Sequence, residues 1–290
     1  MKIQRNSPEG RLPDFLLVGA TKTGTTSLDF YLSLHPEIHM ARPKEPRFFI
    51  DDKESAGRWH RGIDWYRALF DSEKTVCGEA SPTYATWPHR QGVIERMHAV
   101  VPRAKIIFVV REHFARLRSS YLMKMRYRGC EDSFTEFLEN SVEAIDASMY
   151  GLQVQNVLRF YPLENVYVLA SEDLQNRRQE TLAKVFDFLG VDSSFRSPLF
   201  AHRRHVSTWH RYPNALGRRL LRTQGMARLE VELPSSVFYH FRNLMNWLLP
   251  GKKPSTGLPA EIEENLRSKF RNDTVLLQEL MGIRFPALTR

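Results

Sequence analysis

The chain has 290 residues, 42% of them hydrophobic, which is enough to bury a sizeable core in one domain and excludes a disordered or fibrous chain. Its formal charge of +9 suits an anionic ligand, yet the basic residues are scattered without a nucleic-acid-binding signature, so nucleic acid is not expected as a partner. Cys77 and Cys130 form neither a CxxC pair nor a disulfide framework, no zinc spacing is present, and no apolar run approaches the roughly twenty residues that cross a bilayer, so a cytoplasmic protein is expected.

The first element is DFLLVGATKTGTTSLDFYLS, residues 14 to 33. An apolar run from Phe15 to Val18 ends at Gly19, a Thr/Lys/Gly turn follows, and Leu28, Tyr31 and Leu32 resume at helical period. This is the layout of a phosphate-gripping loop: N–H groups at a helix start carry partial positive charge, and glycine lets the backbone approach an anion. Lys22, Thr23, Gly24, Thr25, Thr26 and Ser27 are its candidate contacts; the alternative is an ordinary strand-to-helix turn with a Thr cap. Gly19 and Gly24 keep the spacing of a nucleoside triphosphatase loop, but Thr25 stands where that loop has Lys, and Lys22 precedes Gly24 by two positions.

In HMARPKEPRFFIDD, residues 39 to 52, Pro43 and Pro46 exclude a regular helix and favour an extended loop anchored by Phe48 and Phe49. On the residues alone, Glu45 in that loop is a surface carboxylate paired with Lys44 or Arg47. Trp65, Tyr66 and Phe70 read as core rather than as a sugar-stacking surface. A second strand, Thr75 to Glu79, closes with Glu79-Ala80-Ser81-Pro82, where Glu79 either lines an acceptor pocket or only ends the strand. The third strand, Lys105 to Val110, ends in Arg111, where a magnesium-dependent triphosphatase needs Asp; a guanidinium fork there points to a bound anion rather than a bound metal. Helical patterns at Thr25 to Leu34, Pro88 to Val100, Phe114 to Tyr127 and Gly151 to Tyr161 alternate with these strands and a fourth, Asn165 to Ala170. The alternation implies a single α/β domain with a central parallel sheet flanked by helices and its ligand at the carboxyl ends of the strands.

LPDFLLVGATKTGTTSLDFYLSLHPEI and, about ninety residues later, KIIFVVREHFARLRSSY together resemble the two signatures of sulfotransferases that use 3′-phosphoadenosine 5′-phosphosulfate (PAPS), in the branch of the heparan sulfate enzymes and their bacterial relatives. The resemblance implies that Arg111 and Ser119 hold the 3′-phosphate, that Lys22 and the loop N–H groups stabilise charge on the departing 5′-phosphate, and that Glu45, in Glu45-Pro46-Arg47-Phe48-Phe49, is the general base. It further implies PAPS as co-substrate, adenosine 3′,5′-bisphosphate as product, a glycan or small-molecule acceptor, and no metal. Two departures stand out: many relatives have His or Gln in place of Arg47, and those acting on glycosaminoglycans often have Lys in place of Ala80. A nucleotide kinase or triphosphatase, or a non-catalytic nucleotide-binding protein, is the rival reading. Golgi members of the family carry an N-terminal anchor, whereas MKIQRNSPEGRLP is polar.

Beyond the fourth strand, Leu182, Val185, Phe186 and Leu189 form one apolar stripe of a structural helix. In AHRRHVSTWHRYP, residues 201 to 213, Arg203, Arg204, Ser207 and Arg211 are candidates for the basic loop that relatives close over the nucleotide. Residues 214 to 255 are the least family-like, a variable insertion whose aromatic stretch 234 to 253 suits a lid over a lipophilic acceptor, a homodimer contact or a peripheral membrane contact, against the plainer reading of a peripheral core helix. The whole of 1–290 reads as one sulfotransferase domain, closed by a helix in LRSKFRNDTVLLQELMGIRF.

Overall fold

A computed structural model describes residues 10–51, 57–70, 73–201, 211–226, 229 and 235–289. Five strands, β1 (Phe15–Gly19), β2 (Ile38–Met40), β3 (Val76–Ala80), β4 (Lys105–Val110) and β5 (Val166–Ala170), form one sheet in the order β2-β3-β1-β4-β5. Every pairing is parallel: Phe15 lies opposite Gly78 on one side and Lys105 on the other, and Val110 opposite Ala170. The α/β architecture expected from the sequence is therefore present. β2 went unforeseen because three residues before a proline-rich loop are too short to show a pattern.

Alternate residues of the same strands feed two cores, one on each face of the sheet. Leu16, Val18, Ile106, Phe108 and Val110 belong to one, and Phe15, Leu17, Ile107 and Val109 to the other. Continuous apolar strands are what a sheet buried on both faces requires. Helix α1 (Thr25–Ser33) covers one face with Leu28, Tyr31 and Leu32, all at most 1% exposed. The anticipated stripe Leu182, Val185, Phe186 and Leu189 lies on the same face, each side chain worth about 1.5–3 kcal/mol when fully buried. Gly78 admits the ring of Phe15, whose atoms lie 2.3 Å from where a Cβ would sit.

The chain divides into two compact units, the first made of residues 1–112, 146–204 and 269–290, the second of 113–145 and 205–268. The sheet and both cores belong to the first. The second contains the helices His113–Arg128, Phe134–Glu139, Ala215–Leu221 and Ser235–Leu248 and a short antiparallel pair, Tyr212–Pro213 with Pro250–Gly251. Ser133 and Glu136 form a reciprocal capping box on one of these helices, and Arg126 donates to Asn243 at 2.6 Å. Among the described residues no helix is long and apolar enough to cross a membrane.

Candidate functional site

The carboxyl end of β1 is where the chain reverses its order in the sheet, since β3 lies on one side of it and β4 on the other. The loop that leaves it is shaped by its own backbone. Ala20 N–H donates to Val109 O on β4 at 2.9 Å, and the fully buried Thr23 hydroxyl donates to Ala20 O at 2.7 Å. Lys22 and Gly24 take left-handed backbone, φ 70° and 100°, and Gly24 opens α1 with no side-chain cap. A helix leaves its first N–H groups without intrahelical acceptors, so an uncapped start beside a glycine suits an anion. The side chains of Thr26 and Ser27 are half-buried there, that of Thr25 buried.

Arg111, one residue past β4, donates from Nη1 to Lys22 O at 3.1 Å. The two signatures, 89 positions apart in sequence, therefore meet at the ends of neighbouring strands. Tyr150 OH fixes the Arg111 carbonyl at 2.8 Å. Ser171, buried just past β5, lies against the loop, its Oγ 3.4 Å from where a Cβ on Gly24 would be. Sequence reasoning missed Ser171; its position directly after an apolar strand was the available signal.

The second half of the site is the loop that leaves β2 and is bonded to the end of β3, where Arg47 N–H donates to Ser81 Oγ at 3.1 Å. Phe48 and Phe49 are buried as expected, Phe48 stacked on Tyr66 with ring centres 4.2 Å apart. Glu45 and Arg47 both have left-handed backbone, φ 60° and 54°, an arrangement that costs about 1–3 kcal/mol per non-glycine residue and persists only where the surroundings impose it. The Glu45 carboxylate accepts from Lys44 Nζ at 3.0 Å and from Arg47 Nη2 at 2.7 Å. The pairing foreseen from the residues alone is thus present, with both cations at once. Burial alone would push the Glu45 carboxyl up, but Lys44 and Arg47 together pull it below the usual carboxylate range. Arg42 joins this loop to α1 through a 3.1 Å ion pair with the buried Asp29, whose own carboxyl burial pushes up.

Glu79, next to the last residue of β3, is turned away from solvent. It is 1% exposed and accepts from Ser81 Oγ at 2.6 Å, Tyr84 OH at 2.7 Å and Tyr66 OH at 2.9 Å. Burial pushes its carboxyl up to about 7, although the hydroxyl donors act in the opposite direction. Tyr66 and Phe70 are core, as expected, while Trp65 is half-buried under the Arg61 guanidinium.

Of the remaining expected residues, Ser119 is half-buried on the helix His113–Arg128 in the second unit, and Arg211 is exposed. Arg203, Arg204 and Ser207 lie outside the described residues. Among the described residues no group of three or more His, Cys, Asp or Glu is arranged to hold a metal ion.

A phosphate-type loop after β1, an arginine after β4 and a carboxylate loop that leaves β2 and is bonded to the end of β3 suit nucleotide-dependent group transfer. The chain belongs to the sulfotransferase family: the sulfotransferase-domain family model matches residues 12–210. It is 30% identical over 217 residues to mouse heparan sulfate glucosamine 3-O-sulfotransferase 6, an alignment covering 71% of this chain and 57% of that protein. It is 29% identical over 201 residues to human bifunctional heparan sulfate N-deacetylase/N-sulfotransferase 2, covering 62% of this chain and 22% of that protein. The chain therefore spans less than two thirds of the length of either relative. Among solved structures, a sulfotransferase from Alicyclobacillus acidocaldarius superposes with a TM-score of 0.67 and 25% identity, covering 97% of this chain and 100% of that one. The resemblance to PAPS-dependent sulfotransferases thus holds.

Proposed function

We propose that the chain moves the sulfuryl group of PAPS to an acceptor hydroxyl on a carbohydrate, glycolipid or small natural product, with Glu45 as the general base. One observation carries this reading: the phosphate loop leaves β1, Arg111 follows the neighbouring β4, and the Glu45 loop leaves β2 and is bonded through Arg47 N–H to Ser81 just past β3, so all three lie at the carboxyl ends of strands of one sheet. The loop fits a nucleotide phosphate by its chemistry, since its helix start is uncapped and Gly24 leaves room for close approach. Arg111 is the proposed ligand of the 3′-phosphate, and its fork matches phosphate bidentately, which would select the bisphosphate over ATP. Ser119, Arg203, Arg204, Ser207 and Arg211 keep their proposed nucleotide roles on family resemblance.

In the proposed reaction the acceptor oxygen forms a bond to sulfur in line with the breaking bond to the 5′-phosphate oxygen. Glu45 takes the acceptor proton, and Lys22 with the loop N–H groups stabilises the charge left on the phosphate, a preorganised electrostatic role. Glu45 is a poor base while Lys44 and Arg47 hold both its oxygens. A cation that turns from Glu45 toward the anionic sulfuryl group raises the basicity of the carboxylate when the donor is in place. The scheme asks for no metal.

The glycan names of the relatives support a sugar hydroxyl first, and Ala80 in place of a lysine argues against a heparan-like acceptor. We treat 1–290 as one sulfotransferase domain with about 214–255 as an insertion. The free state of Cys77 and Cys130 supports a reducing, cytoplasmic setting. Exposed Leu244, Trp247 and Leu248 support an outward contact of the insertion, with a membrane surface or a second copy. Bisphosphate release from PAPS, measured with desulfated heparan and with p-nitrophenol as acceptor probes, tests the assignment of the base. Turnover that persists at the wild-type rate in Glu45→Gln removes it.

A further inference from the structure

We infer that Glu79 is a positioning residue for the base: its carboxylate orients two hydroxyls that in turn hold the backbone of the Glu45 loop. The inference rests on the reading of Glu45 as base. The geometry is a short relay. Ser81 Oγ donates to Glu79 Oε2 at 2.6 Å and accepts the Arg47 backbone N–H at 3.1 Å. Tyr84 OH donates to Glu79 Oε1 at 2.7 Å and faces the Phe49 N–H at 3.5 Å, a longer and weaker contact. Tyr66 OH donates to the same Oε1 at 2.9 Å while its ring stacks on Phe48 at 4.2 Å. Three hydroxyls on one buried carboxylate thus reach residues 47, 48 and 49, the segment that follows Glu45.

The charge type is what matters. Above a pH of about 7 the ionised carboxylate only accepts, so each hydroxyl proton points at Glu79 and the Ser81 and Tyr84 oxygens are left to accept from the loop. The loop needs such a clamp because Glu45 and Arg47 both hold left-handed backbone. The network is itself anchored to the phosphate side, since Ser81 N–H donates to Leu17 O on β1 at 3.1 Å. Glu79 therefore ties the base loop to the strand that carries the phosphate loop. A buried carboxylate without this duty would be a costly way to end a strand. Glu45 itself also acts on Glu79 electrostatically, raising its carboxyl further.

Glu79→Gln keeps the volume but puts an amide donor against at least one hydroxyl, so the relay can no longer point all its acceptors at the loop. Ser81→Ala removes the relay to Arg47 and leaves Glu79 two donors, which covers the case in which Glu79→Gln fails to fold. Hydrogen exchange is read on peptides spanning residues 44–50 and 20–28, with adenosine 3′,5′-bisphosphate affinity measured by calorimetry. In both variants exchange at 44–50 is expected to rise about tenfold or more while 20–28 and the bisphosphate affinity stay as in the wild type. With either acceptor probe, kcat falls about ten- to a hundredfold and KM for PAPS holds, the split a merely structural residue would not give. Unchanged exchange at 44–50 in folded variants overturns the inference, as does a rise shared equally by 20–28. Full turnover in Glu45→Gln would instead overturn the base while leaving the exchange result to stand, so the two failures can be told apart.

Discussion

The phosphate loop and the proposed base loop both lie at carboxyl ends of strands of one sheet, after β1 and β2, but are built in opposite ways. The first is held by its own backbone and by β4: Ala20 to Val109, Thr23 to Ala20, and Arg111 to Lys22. The second has almost no regular structure and is held by side chains distant in sequence, Ser81, Tyr84, Tyr66 and Arg96, the last donating to Phe49 O at 2.8 Å. A ligand shared by a whole family can be gripped by backbone geometry. A base that must be aimed at a particular acceptor needs a support that side chains can retune.

The largest expected effect breaks the comparison at the base. Glu45→Gln should lower kcat by about a hundredfold to ten-thousandfold and leave bisphosphate affinity unchanged, measured by turnover and calorimetry on the same preparation. Arg111→Ala acts on the other loop: it removes the proposed phosphate ligand and the contact to Lys22 O, and should weaken bisphosphate binding by about ten- to a hundredfold. Gly78→Ala forces a methyl group into the Phe15 ring and should cost about 1–3 kcal/mol in urea unfolding.

Two smaller effects concern pH. Glu79 has a folded-state pKa raised from 4.5 to about 7, so its favourable share of stability is full below the unfolded value and is lost as pH rises toward 7. The melting-temperature advantage of the wild type over Glu79→Gln should therefore shrink between pH 4.5 and 7, by roughly a few degrees. Arg47→Gln removes one of the two cations that hold the Glu45 carboxyl down. The acidic limb of kcat/KM should then move to higher pH.

The phosphate half was legible because its information is local. A strand, a glycine turn and a helix occupy one stretch of chain, and the observed β1 and β4 have the bounds read from their apolar runs. Arg111 could be placed at a strand end, but its bond to Lys22 O could not, since nothing in either stretch encodes the pairing of β1 with β4. The base half was legible only in outline. Pro43, Pro46 and the two phenylalanines told of an anchored loop, while the role of Glu79 was hidden because its partners are spread over residues 66, 81 and 84 and meet only after β3 docks. The helix Val93–Val100 starts five residues later than its apolar pattern suggested, after Gly92 at φ 73° sets its start. The helix expected to carry Leu182, Val185, Phe186 and Leu189 is Arg178–Leu189, preceded by a shorter one, Ser171–Asn176, and parted from it at Arg177, whose backbone is not helical.

The most direct test of the account is a calorimetric titration of the full chain with adenosine 3′,5′-bisphosphate in the absence of metal, beside one with ATP and magnesium. The account predicts low-micromolar binding of the bisphosphate, corresponding to about −8 kcal/mol, and much weaker binding of ATP. Magnesium-dependent ATP binding with no bisphosphate binding would contradict it.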